Sequence, residues 1–150
     1  MDIRPNFLFA MVASAAVWGV LALTTTVTSA QETKTQQDGV YTDAQVKAGE
    51  AIYMVQCVEC HIRDLTGGNP EMHPAPALTG KDFTGYWNGK SLDEMYTIII
   101  TNMPQTDPGH LKPEEVASLI AFIASHNSGK PGTTPLPADP AALKNIKFKF

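Results

Sequence analysis

Two thiols and an imidazole within five residues, Cys57-Val58-Glu59-Cys60-His61, constrain this chain more than any other feature in it. A bridge between the cysteines would close a very short loop and restrict little of the unfolded chain, so stability is a poor motive for the pair. Three chemistries use such a pair: a metal clamp, dithiol–disulfide exchange, and thioether attachment of a haem. A structural zinc site wants four thiolate or imidazole ligands. Beyond the motif only His73, His110 and His126 remain, and no second C-x-x-C exists. A thioredoxin-like exchanger opens a helix after a strand within a βαβ pattern. Here a helical pattern precedes the thiols and no strand-like alternation appears. C-x-x-C-H is the attachment signature of c-type haem. Sulfurs on one turn can each add to one vinyl group, and the adjoining imidazole projects under the iron.

The rest of the chain suits the third chemistry. At 150 residues there is room for one domain with a modest core. A formal charge of −4 argues against nucleic acid as a partner, which calls for a basic face. Arg4 precedes an uncharged run, Phe7–Leu23, and TTTVTSA then ends in small residues with a cleavage point after Ala30. This pattern fits a signal peptide over residues 1–30. At 17 residues the run is at the short edge of a bilayer span, so a retained membrane anchor is the alternative. Either way the protein is exported, and covalent haem attachment belongs outside the bacterial cytoplasm. Residues 31–38 are polar and read as a flexible lead.

Regular structure starts near Tyr41. Thr42 with Gln45 makes a capping box, and Val46, Gly49, Ile52, Tyr53 and Gln56 follow at helical spacing, delivering Cys57 at the helix end. Gly49 costs about 1 kcal/mol relative to alanine in a helix, and close approach of another helix is its simplest reason. Residues 63–89 read as loop, a length unusual in a compact domain unless it wraps something such as an apolar cofactor. Ser91 with Glu94 caps a helix carrying Leu92, Met95, Tyr96 and Ile99, which ends near Asn102 because Pro104 disfavours helix at Met103. Pro113, Glu114 and Glu115 begin the last helix, with Val116, Leu119, Ile120 and Ile123 as its core stripe and Phe122 at the edge. Residues 128–150 form a proline-rich extended tail anchored by Leu136, Leu143 and Phe148. Its lysines 144, 147 and 149 read as a solvated strip, with partner docking as the alternative.

Over residues 39–127 the chain resembles a small monohaem cytochrome c of the His/Met type. CVECH matches the haem site, and Gly49 with Tyr53 matches the crossing of the terminal helices, with Leu119 and Phe122 opposite. PALTG, residues 76–80, is similar to the loop whose proline carbonyl bonds the ligand histidine, and Met103-Pro104 matches the axial Met-Pro. The resemblance implies an all-α cytochrome c fold, three to five helices wrapped around one covalent haem c, with long loops. It implies thioethers from Cys57 and Cys60, axial ligands His61 and Met103, and a pocket including Tyr53, Pro76, Leu78 and Trp87; ordinary core packing is an equal account of Trp87. It departs at Ile62, where the family often has glycine, and at Lys112, where a serine-type cap is usual. The long tail is similar to those of short cytochromes accompanying quinoprotein dehydrogenases.

Four methionines follow residue 30. Met54 and Met95 sit in helices, where methionine usually packs. Met72 follows His61 too closely, in a loop that first runs along the histidine's own side, whereas Met103 has ample reach to the opposite face. Met72, His73 and an open site stay as alternatives. The function implied is an exported, periplasmic electron carrier rather than an enzyme. Its partners are redox proteins, among them a quinoprotein (PQQ) dehydrogenase and a terminal oxidase or another cytochrome. A haem enzyme or gas sensor with an open sixth position is the alternative.

Overall fold

The computed structural model describes residues 32–68, 71 and 74–150. The signal or anchor at residues 1–30, and the candidate ligands Met72 and His73, lie outside the described residues. The order is β1 (Lys34–Thr35), α1 (Asp43–Gln56), α2 (Val58–His61), α3 (Gly80–Trp87), α4 (Leu92–Asn102), α5 (Pro113–Ser125), α6 (Pro140–Leu143) and β2 (Ile146–Lys147). The fold is all-α apart from one short parallel strand pair. Among the described residues no helix is long and apolar enough to cross a membrane.

The helix starts follow their caps. Thr42 Oγ1 accepts from Gln45 N at 3.3 Å while Gln45 Oε1 accepts from Thr42 N at 3.2 Å, satisfying two otherwise orphaned amides. At α4, Glu94 Oε1 accepts from Ser91 N at 3.1 Å. The serine-type cap missing at α5 is replaced by Glu115, whose Oε2 accepts from Lys112 N at 2.8 Å. α4 closes with Met103 N donating to Ile99 O at 3.0 Å, and Met103 itself is extended, as a residue before proline prefers.

α1 and α5 cross in close contact. A Cβ built on Gly49 would fall on the carbonyl oxygen of Ser118 and lie 2.9 Å from Phe122 Cβ. Tyr53 packs on Phe122 with ring centroids 5.1 Å apart. Glycine is therefore required where the helices cross, and its propensity cost is offset by packing. Phe122 is buried at 3% exposure rather than lying at the edge of its stripe, because α5 is covered on every side from Val116 to Ala124.

Three other regions differ from their sequence reading. The stretch 63–89 is not loop throughout, since α3 occupies its end. Two glycines weaken the helical signal there, while Phe83 and Trp87, four residues apart, carry the buried face. The lead at 31–38 is pinned from Lys34 onward. Lys34 N donates to Asn145 O at 3.1 Å, and fully buried Gln36 bonds the backbone of Asn127 and Lys149 through its side chain. The tail is anchored by Leu136, Leu143 and Phe148, all buried, but it also contains α6 and β2.

Candidate haem site

Cys57 ends α1, and α2 makes one turn, with Cys60 N and His61 N donating to Cys57 O at 3.2 and 2.9 Å. The two thiols and the imidazole thus converge on one cavity of about 670 Å³. Its size is that of a site for a large organic ligand. All eight residues singled out from sequence line it: Tyr53, Cys57, Cys60, His61, Pro76, Leu78, Trp87 and Met103. A shallower, more open groove of about 460 Å³ between α1 and the start of α5 gathers His110 and Glu115 but no thiol or thioether. His126, on the far side of α5's end, bonds its Nδ1 to Phe122 O at 3.0 Å and lines neither.

The orientation of His61 is fixed by the loop that carries Pro76. Its Nδ1–H donates to Pro76 O at 2.9 Å, which leaves the Nε2 lone pair as the free coordinating atom. Burial pushes the His61 imidazolium below its ordinary range, with the Pro76 carbonyl working weakly the other way, so the ring is neutral at neutral pH. A neutral imidazole held in this tautomer is the form that binds a metal.

The turn after the motif explains how Ile62 stands in for glycine. Ile62 holds φ 50° and ψ 168°, a region normally kept to glycine, at a cost of about 1–3 kcal/mol. Tyr53 secures it: the phenol donates to Ile62 O at 2.7 Å from a fully buried position. Beyond it, Leu78 N donates to Leu65 O at 2.8 Å, and Asn127 Nδ2 donates to Leu78 O at 2.8 Å. These bonds hold the loop against the helices so that Pro76 meets His61.

Cys57 is poorly suited to the attacking role in thiol exchange. Burial, assisted by Cys60, pushes the Cys57 thiol up to about 11, whereas exchange catalysts depress theirs. Among the described residues no three His, Cys, Asp or Glu side chains converge as a metal-ion cage. A haem fits what is present: two thiols on one turn, an oriented imidazole, walls of Leu78, Phe83, Ile99, Leu119 and Ile123, and thioether sulfur in reach of the same space. Trp87 lines the cavity and packs on Phe83 and Phe148 at 6.0 and 5.7 Å.

Met95 also lines the cavity and is missed by the sequence reading. The available signal is its spacing, since Met95 and Ile99 lie four residues apart on one face of α4, and Met103 follows four residues later just past the helix end. Met54, by contrast, packs against the core outside the cavity.

A protein-family model described as cytochrome c oxidase, cbb3-type, subunit III matches residues 44–123, more than half of the 150 residues, from the start of α1 into the last turn of α5. No curated protein and no solved structure matches the chain.

Proposed function

This chain belongs to the c-type cytochrome family that the matching model defines, and from that premise we propose that it is an exported carrier of single electrons with one covalent haem c. Cys57 and Cys60 would hold the haem by thioethers, and His61 and Met103 would be the axial ligands. Bound haem supplies ferric–ferrous cycling. The observation that carries the reading is the His61 Nδ1–Pro76 O bond, which aims a neutral imidazole at a cavity edged by both thiols. Met103 suits the opposite side because the end of α4 frees it from the helix while keeping it half-buried at the cavity. A thioether in that position raises the reduction potential and leaves no open coordination site. Leu78 and Trp87 restrict water and raise the potential further. Among the described residues, the carboxylates along the cavity are Glu59 and Asp82 and the imidazole is His61. Substrate chemistry would call for a further acid or base near the iron.

The periplasm is the compartment this reading assigns, on the export pattern of residues 1–30. A quinoprotein dehydrogenase as donor and a terminal oxidase or another cytochrome as acceptor follow from the carrier role and the long tail. The deciding experiment is Met103→Ala on the haem-loaded protein. The far-red methionine band should disappear, the potential should fall, and reduced protein should bind carbon monoxide, with haem attachment intact. Met95→Ala and Met72→Ala should leave all of these near wild type. Wild-type protein that already binds carbon monoxide rapidly would transfer the assignment to a haem enzyme or gas sensor.

A further inference from the structure

The tail touches the cavity wall directly. Gly89 N donates to Phe148 O at 2.8 Å and Phe148 N to Lys90 O at 2.9 Å, while Lys147 pairs antiparallel with Ser91. Fully buried Phe148 packs on the cavity-lining rings of Phe83 and Trp87 at 5.8 and 5.7 Å. It then stacks on Phe150 at 5.7 Å, and Phe150 is 37% exposed. Tyr86, another lining ring, is 60% exposed and carries Lys90 Nζ 3.7 Å above its centroid. Aromatic side chains therefore run in contact from the cavity to the surface.

Where they emerge, the charge is positive. Lys90, Lys147 and Lys149 flank the exposed rings, and Lys34 lies across the strand pair. Among the described residues two carboxylates lie near them: Glu94, which caps Ser91 beside Lys90 and opposite Lys147, and Asp38, held below the usual range chiefly by hydrogen bonds from Thr35, with Lys149 and Lys34 adding a smaller pull. No ion pair with a described residue neutralises these lysines. This is a cationic island on a chain of net charge −4, with an aromatic centre and a charged rim, the anatomy of a transient protein interface.

We propose that this island is the surface through which the protein exchanges electrons with a redox protein presenting acidic groups around an apolar face. The inference rests on the haem-carrier reading above. Opposite charge steers the encounter and fixes its orientation. The partner's centre then sits beyond a single layer of aromatic side chains from the cavity. One electron passes across that layer, one centre being oxidised as the other is reduced.

The test uses haem-loaded protein and stopped-flow oxidation by two reagents, anionic hexacyanoferrate(III) and cationic hexaammineruthenium(III). In Lys147→Glu/Lys149→Glu the hexacyanoferrate rate should fall several-fold at low ionic strength. The hexaammineruthenium rate should hold or rise, and the difference should vanish in high salt. Poly-L-glutamate, as a mimic of an acidic protein face, should slow hexacyanoferrate oxidation of the wild type and not of the variant. Unchanged rates in the variant, a response to Asp82→Asn instead, or indifference of the wild type to poly-L-glutamate would each overturn the island. Protein whose absorbance shows no reversible oxidation by either reagent would instead defeat the carrier reading itself.

Discussion

Two of the walls around the cavity are built in different ways. The α1–α5 wall is a direct helix crossing, closed by Gly49 on the Ser118 carbonyl and by Tyr53 on Phe122. Its backbone groups are satisfied within each helix, and its side chains pack over a continuous buried surface. In the other wall, residues 62–79, the backbone bonds among the described residues include Gly68 N to Ala75 O at 3.1 Å and Leu78 N to Leu65 O at 2.8 Å. This wall hangs from His61 through Pro76 O and from Asn127 through Leu78 O. Gly67 brings its two limbs together, since at φ 93° a Cβ there would lie 2.8 Å from Ala75 O. The first wall is held by packing, whereas the second is held by what it surrounds and by side-chain hydrogen bonds from Tyr53, His61, Asn127 and its own Thr79.

That contrast can be broken at several strengths. The largest effect should come from Cys57→Ser/Cys60→Ser, which prevents attachment. An unfilled apolar cavity of about 670 Å³ would cost on the order of 10 kcal/mol at about 24 cal/mol per Å³, comparable to the whole stability of a small domain. The double variant should lose most of its helical circular dichroism. Retention of a native-like spectrum would mean that the packed wall stands without an occupant.

Gly49→Leu attacks the packed wall itself. Overpacking at the crossing should cost about 1–3 kcal/mol, read as a lower denaturation midpoint, with Gly49→Ala shifted less in the same direction. An unchanged midpoint would refute the crossing. Asn127→Ala attacks the hung wall. Asn127 is buried and also donates to Ile123 O at 2.8 Å, so the variant strands carbonyls at a cost of about 1–3 kcal/mol. Amide exchange should accelerate in residues 62–79 while α1 stays protected; equal acceleration in both would erase the distinction between the walls. The smallest change, and a favourable one, is expected from Ile62→Gly. Relief of the strained backbone should outweigh glycine's entropic penalty by about 1 kcal/mol and raise the melting temperature by a few degrees. A lower melting temperature would show that the isoleucine side chain contributes more than its backbone costs.

The packed wall is also the more legible of the two in the sequence. Capping boxes such as Thr42 with Gln45 and Ser91 with Glu94 act within four residues, so the starts of α1 and α4 follow from local chemistry. Gly49 is conspicuous because a glycine inside a helix asks for a reason. Cys57, Cys60 and His61 are adjacent in the chain, and their convergence needs only one turn of helix. The Pro76 contact with His61 spans fifteen residues, and only resemblance to a family brings those two together. Elsewhere local signals were too weak. α3 is interrupted by Gly85, and strands of two residues carry no alternation to detect. Gln36 reads as polar lead because its partners, Asn127 and Lys149, lie far along the chain. Met95 reads as packing because which face of α4 meets the cavity is set by tertiary contacts.

The strand pair gives the molecule a mechanical property. β1 and β2 run parallel, so tension applied between residue 32 and residue 150 pulls the strands lengthwise past one another. The bonds from Lys34 N to Asn145 O and from Gln36 N to Lys147 O are then loaded together rather than unzipped in turn. The Gln36 side chain adds two more in the same place, donating to Lys149 O and accepting from Lys149 N. A pull along the chain thus meets a clasp that must yield before force reaches the cavity, while a pull across the strands would open it one bond at a time.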